Sequence, residues 1–277
     1  MSGPLSAPEK QRVVERWNEH TSDSPDLSAE VYWLAIPEVM RRHQRKLSGG
    51  PSENWVDSVR QEFFAGSTPV PRILSLGCGD GSLERDLARL KFFETCDAYD
   101  LSPVAIEKAR VLAAESGFDG IRYATTDING VSLPAESYDA IWFNGSLHHI
   151  AALEHVLDQC SQALKPDGYL IVNEYVGPNR FDFTPRQKEA LAAAWCLVPE
   201  RFKRSCMPSI AGSVQPQPPY PDPAEVEAVD PSEAVRSADI AEQRFVAKER
   251  PAGRFFIFSL RGLPATFGPR IPNRFVF

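Results

Sequence analysis

Long apolar runs are missing from this sequence. Nowhere do its 277 residues string together the roughly 18 uncharged apolar residues of a membrane-spanning helix, so no membrane is expected as a partner. The opening MSGPLSAPEK also lacks the apolar centre of a secretory signal, and the expected location is cytoplasmic. Cysteine is scarce and odd in number. Cys78, Cys96, Cys160, Cys196 and Cys206 include no CxxC pair, which points to neither a disulfide framework nor a zinc site. They read as reduced thiols, mostly buried, and no metal is expected. A basic excess is absent too: 30 Lys and Arg against 37 Asp and Glu leave a formal charge of −7. Such a chain has no general attraction for phosphodiester backbones, so nucleic acid is not an expected partner.

What is present suffices for a core, since 43% of the residues are apolar and the chain is long enough for one large domain. Three regions follow one another. Residues 1–67 read as a helical, tryptophan-rich cap, with Trp55, Val56, Val59 and Phe63 at helical spacing after a start at Ser52. Residues 68–260 form the core region. From Arg72 to Glu174 short β-rich runs alternate with amphipathic helices, which predicts a parallel sheet. An insertion over 179–240 begins helical and loosens at 208–223, where prolines exclude regular structure. Two late runs, EQRFVAKER and GRFFIFSL, flank Pro251 to Gly253 and read as a terminal antiparallel hairpin. Residues 261–277 have three arginines, no acid and no periodicity; they are expected to be more mobile than the sheet.

The stretch RILSLGCGDGSLERDLARL, residues 72–90, carries the first chemical signal. Ile73, Leu74 and Leu76 form a buried strand, Leu83, Leu87 and Leu90 follow at helical spacing, and Gly77, Gly79 and Gly81 occupy the turn between. Such a turn lies at the carboxyl edge of a sheet, where open α/β sheets bind ligands. A Walker loop would need Gly-Lys-Ser or Gly-Lys-Thr; here Asp80, Glu84 and Asp86 face a lone Arg85. The dinucleotide pattern GxGxxG fails because Ser82 holds its third glycine position. A ligand with positive charge and no phosphate fits better.

Five ordered segments resemble the class I S-adenosylmethionine-dependent methyltransferases: ILSLGCGDG, DAYDLSPVAIEKAR, YATTDI, YDAIWFNGSLHHI and LKPDGYLIVNE. They cover roughly half the chain. The resemblance implies a doubly wound, mostly parallel, seven-stranded Rossmann-like sheet of α/β class, with the N-terminal helical cap and the C-terminal antiparallel hairpin added. It implies S-adenosylmethionine as cofactor, met by Ser75, Gly77, Cys78, Gly79, Gly81, Asp100, Leu101, Asp127, Ile128 and Asn144. Ser75 departs from the family's pattern, which commonly has an acid there. Asp100 ends the second strand and is read as the acceptor of both ribose hydroxyls, because Ser102 can cap the next helix and leaves Asp100 spare. Asp127 is read as the partner of the adenine amino group, with Ile128 over the ring; turn chemistry before Asn129 and Gly130 is the plainer role. For Asn144, a cofactor contact and a strand-end turn are both open.

His148 and His149 follow the fourth strand, and either can act as a base toward the acceptor; structural packing is the equal alternative. His155 falls on the polar side of its helix and is expected in solvent. Tyr32 and Trp33 are adjacent, so they cannot share a helix face, and with Glu174 and Tyr175 they are the candidates for the substrate side. Trp17 and Phe64 are also aromatic candidates for the cavity, whereas Trp55 and Phe63 read as packing. The function implied is methyl transfer to the oxygen, nitrogen or carbon of a small molecule. A non-catalytic cofactor-binding module and an RNA or protein methyltransferase are the alternatives. Oligomeric state is not legible.

Overall fold

Apolar side chains alternate with a period of two along the central strands, which sends successive residues to opposite faces. In β1 (Val70–Leu76) Leu74 and Leu76 bury on one face and Ile73 on the other; β4 (Tyr138–Asn144) divides Ile141 and Phe143 from Ala140 and Trp142. β5 (Leu164–Glu174) divides Leu170 and Val172 from Ile171. Two separate apolar clusters result, so both faces need helices over them.

The computed structural model, which describes residues 6–22, 37–48, 54–174, 184–204, 212–218 and 254–259, supplies them. Its sheet has the order β3-β2-β1-β4-β5-β6, with β2 at Phe93–Asp100, β3 at Ile121–Thr125 and β6 at Arg254–Ser259. On one face α6 (Leu153–Ala163) buries Leu153, Val156 and Cys160. On the other, α4 (Ser82–Arg89) and α5 (Pro103–Glu115) bury Leu83, Leu87, Ile106 and Ala109. Outside the strand-helix repeats lie α1 (Ala7–Ser22), α2 (Pro37–Ser48), α3 (Trp55–Phe63) and α7 (Pro185–Leu197). No described helix is long and apolar enough to cross a membrane.

The doubly wound α/β expectation holds, with differences in detail. Six strands, rather than seven, appear among the described residues. Every strand pairing is parallel, including β5 with β6. β6, the second arm of the expected hairpin, is a parallel neighbour of β5. A parallel pair needs a crossover instead of a tight turn, and the long stretch between Glu174 and Arg254 has room for one. The run 242–250 that would complete the hairpin lies outside the described residues, as does the tail 261–277. Within the proline-rich stretch only 212–218 is described, and there Val214 makes an antiparallel bridge to Arg204.

Local chemistry also moves one helix start. α3 begins at Trp55 with Asn54 as its cap, since the Asn54 side chain accepts from the N–H groups of Val56 and Asp57 at 2.9 and 3.3 Å. Trp55 then packs edge-on against Trp142 at 5.9 Å, while Phe64 meets Phe92 at 4.7 Å. Phe63 packs on Tyr169. Those aromatics are core. The thiols follow the expectation for Cys78, Cys96 and Cys160, which are buried; Cys196 is exposed.

Candidate active site

The sheet order reverses between β1 and β4, and the two loops leaving their carboxyl ends must diverge there, which opens a crevice. Gly77 turns the first loop with φ +75°, and Gly145 turns the second with φ +65°. They meet closely: the Ser146 hydroxyl donates to the Leu76 carbonyl at 2.6 Å. Above this contact lies a cavity of about 290 Å³. The expected residues Ser75, Gly77, Cys78, Gly79, Asp100, Leu101, Asp127, Ile128 and Asn144 all line it. Gly81 does not. It caps α4 in the left-handed conformation, and a Cβ there would come within 2.4 Å of the Tyr123 hydroxyl.

Among the described residues, four carboxylates line the cavity, those of Asp80, Glu84, Asp100 and Asp127, and no lysine or arginine does. Three of them have partners. Asp80 faces Lys108 at 3.7 Å and Arg85 at 4.0 Å. Asp100 is not spare as the sequence suggests: Oδ2 accepts from Gly79 N–H at 2.9 Å and Oδ1 from Ser102 N–H at 2.8 Å. Ser102 still caps α5, accepting from Ala105 N–H. Two of roughly four lone-pair sites on Asp100 thus remain for a ligand. Asp127 performs turn chemistry and more: it accepts from Asn129 through Oδ1 and pairs with Lys10 at 2.9 Å through Oδ2. Burial opposes its ionisation, but the hydrogen bonds from Lys10 and Asn129 outweigh it and hold the carboxyl below its usual range.

Glu84 is the exception, and the sequence reading did not single it out. It is fully buried, and neither oxygen has a hydrogen-bond partner. Burial pushes its pKa to about 7; the nearby Ser75 hydroxyl and the Glu84 backbone pull the other way without meeting hydrogen-bond geometry at either oxygen. A signal was available: Glu84 stands three residues before Leu87 and beside Leu83, inside the apolar stripe of α4.

The two histidines separate. Glu174, at the end of β5, turns its fully buried carboxylate onto the 3₁₀ turn Leu147–His149. It accepts from Leu147 N–H at 2.8 Å and His148 N–H at 3.3 Å, and meets His148 Nδ1 at 2.5 Å. Glu174 therefore holds His148 instead of opening to the cavity. His149 does line the cavity, with its ring edge-on to Trp17 at 4.7 Å and 3.9 Å from that of His148. His155 is exposed as expected, yet its Nε2 is hydrogen-bonded with the Val131 carbonyl at 2.9 Å. Asn144 is exposed at the rim and accepts from Asn173. Tyr32, Trp33 and Tyr175 lie outside the described residues.

One face of α1 closes the cavity. Val13, Trp17 and Thr21 line it at spacings of four, and Lys10 on the same face reaches Asp127. Asn18, one residue on, accepts from the Ser102 hydroxyl at 2.7 Å. Val13 and Thr21 escaped the sequence reading because nothing local ties them to the β2 and β3 loops. Among the described residues, no group of three His, Cys, Asp or Glu is arranged to hold a metal ion.

Residues 74–172 match the family described as methyltransferase domain. An uncharacterized methyltransferase of Mycobacterium tuberculosis is 33% identical over 107 residues, covering 39% of this chain and 52% of the relative. A ubiquinone biosynthesis O-methyltransferase of Xylella fastidiosa is 34% identical over 122 residues, 43% of this chain and 48% of the relative. The chain thus spans about half the length of these curated relatives. An N-terminal Xaa-Pro-Lys N-methyltransferase of Danio rerio is 27% identical over 158 residues, 53% of this chain and 69% of that protein. Among solved structures, an S-adenosylmethionine-dependent methyltransferase from Mesorhizobium loti aligns at 29% identity over 41% of this chain and 52% of that one, with a TM-score of 0.36.

Proposed function

We propose, from the match of residues 74–172 to the methyltransferase-domain family, that the chain is a class I S-adenosylmethionine-dependent enzyme that methylates a small-molecule acceptor and releases S-adenosylhomocysteine. One observation carries the fit of the cofactor to this site: among the described residues four carboxylates and no cationic side chain line the cavity, and Lys10 and Lys108 answer only Asp127 and Asp80. That field favours a ligand bearing ammonium and sulfonium charge and disfavours phosphates. S-adenosylmethionine supplies, when bound, a methyl group on a sulfonium that departs as a neutral thioether.

The chain's own residues then bind and orient. Asp100 keeps lone pairs for the ribose hydroxyls after serving Gly79 and Ser102. Asp127 and Ile128 form the adenine end, and Ser75, Cys78, Leu101 and Asn144 border the ligand. The backbone at Gly79 lets it come close, since a Cβ there would stand in open space. On the acceptor side, Trp17 of α1 and His149 face each other. In this reading His149, which lines the cavity, takes the acceptor's proton, and His148, held by Glu174, backs it. Orientation is the larger contribution: it can supply roughly 7–11 kcal/mol, against about 3–5 kcal/mol from a general base.

A protein-amine acceptor is the second reading, favoured by the Danio rerio relative and by an acidic cavity that suits an amine. Calorimetric titration with S-adenosylhomocysteine, NAD and ATP is the first test. Micromolar or tighter binding of S-adenosylhomocysteine with none of NAD or ATP is expected; tighter NAD binding overturns the reading. A methyl-transfer screen of phenols, amines and N-terminal peptides then separates the two acceptor classes. Asp100→Asn is expected to weaken S-adenosylhomocysteine by roughly ten- to a hundredfold. Because Asp100 also satisfies two N–H groups, Asp100→Ala should in addition lower stability by about 1–3 kcal/mol. Unchanged affinity in the Asn variant removes Asp100 from the ligand.

A further inference from the structure

Three of the cavity's carboxylates are already answered by Lys108, Lys10 or backbone N–H groups. Glu84 is not. Two orphaned oxygens on a fully buried side chain are an expensive arrangement for a folded protein, because each has given up water without a donor in return. The missing partner must bring donors as well as positive charge. A sulfonium has no N–H to give; a primary ammonium has three. Ser75, at the end of β1, borders the same cavity and is uncharged, so β1 itself offers no countercharge there.

We propose that Glu84 binds the α-ammonium group of the ligand's amino-acid end, a charge-assisted contact that completes the one carboxylate the fold leaves without a partner. The proposal rests on the cofactor reading above and goes beyond it in assigning the amino-acid end to a residue of α4.

The site is also coupled to protons. Glu84 is faced by Cys78 on the glycine loop, Cys96 on β2 and Tyr123 on β3, whose thiols and phenol are all pushed up by burial and then by Glu84, and so stay neutral near pH 7. Arg85 and Asp80, also near, act on it with opposite signs. With its pKa near 7, the empty site at pH 6.5 holds a largely protonated Glu84. An ammonium selects the ionised form, so binding releases a proton.

Two probes separate the amino-acid end from the rest of the ligand: S-adenosylhomocysteine has the ammonium, and 5′-methylthioadenosine has none. Calorimetry with Glu84→Gln is expected to show S-adenosylhomocysteine weakened by about tenfold or more, with methylthioadenosine within about threefold of wild type. Between pH 5.5 and 7.5 the wild-type affinity for S-adenosylhomocysteine should rise, and that of the Gln variant should stay flat. Ligand-free, Glu84→Gln should melt at least about 4 °C above wild type at pH 8 and close to it at pH 5, since only the ionised carboxylate is penalised by burial. Equal loss of both probes, or no loss of either, overturns the proposal. Should the variant fail to fold, titration of wild type at pH 6.5 in buffers of different ionisation enthalpy decides it: no proton release overturns it. If wild type binds neither probe, the cofactor reading itself fails, a result distinct from the selective outcomes.

Discussion

Alanine at Gly77 is expected to cost about 2–5 kcal/mol of stability and to remove binding of S-adenosylhomocysteine. Gly77 sits at φ +75°, where an L side chain pays roughly 1–2 kcal/mol. Its new Cβ would lie 2.4 Å from the Ser146 Cβ. Ser146 has little freedom to retreat: it is buried, and its hydroxyl is tied to the Leu76 carbonyl. Overpacking of this kind adds about 1–3 kcal/mol. The control is Gly79→Ala. There φ is +54° but the Cβ meets nothing within 4 Å, so the fold should survive at a cost of about 1–2 kcal/mol while the methyl intrudes on the cavity. Urea melts and calorimetry on the pair check this. A Gly77→Ala protein as stable as wild type would show that β1 and β4 do not meet as described.

Glu174→Ala should destabilise by a similar amount, about 2–5 kcal/mol. It strips a fully buried carboxylate from the N–H groups of Leu147 and His148 and from the His148 ring, and an orphaned buried donor costs about 1–3 kcal/mol. The Gln variant keeps an acceptor oxygen for the turn and should lose less than half as much. A residue that instead touched the acceptor would behave the other way round. Stability would hold, and KM for the acceptor would rise once an acceptor is identified. Chemical melts of both variants separate the two roles, and a Glu174→Ala melt indistinguishable from wild type would return Glu174 to the substrate side.

Much of the cavity's lining was legible because its signals are local. Three glycines between an apolar strand and an amphipathic helix demand a tight left-handed turn, and the structure has all three at positive φ. An acid ending β2 and an Asp before Asn-Gly are short patterns of the same kind. What those acids do besides was not local: Asp100 answers an N–H 21 residues away in Gly79, and Asp127 reaches back to Lys10 on α1. Likewise the pair His148 and His149 was visible, but only β5, arriving beside β4, determines that Glu174 claims one of them and leaves the other in the cavity.

The order of short strands and helices, the glycine turn and the acidic, lysine-free character of the loop belong to the sequence alone, since each depends on residues within a few positions of one another. Tertiary structure decided the rest. Burial is a property of surroundings, so the side chain that reads as one more surface acid on α4, Glu84, becomes an unpartnered carboxylate in a cavity only when β1, β2 and β3 close around it. The parallel pairing of β6 with β5 is likewise tertiary, because strand direction depends on where the chain returns and not on the residues that make the strand.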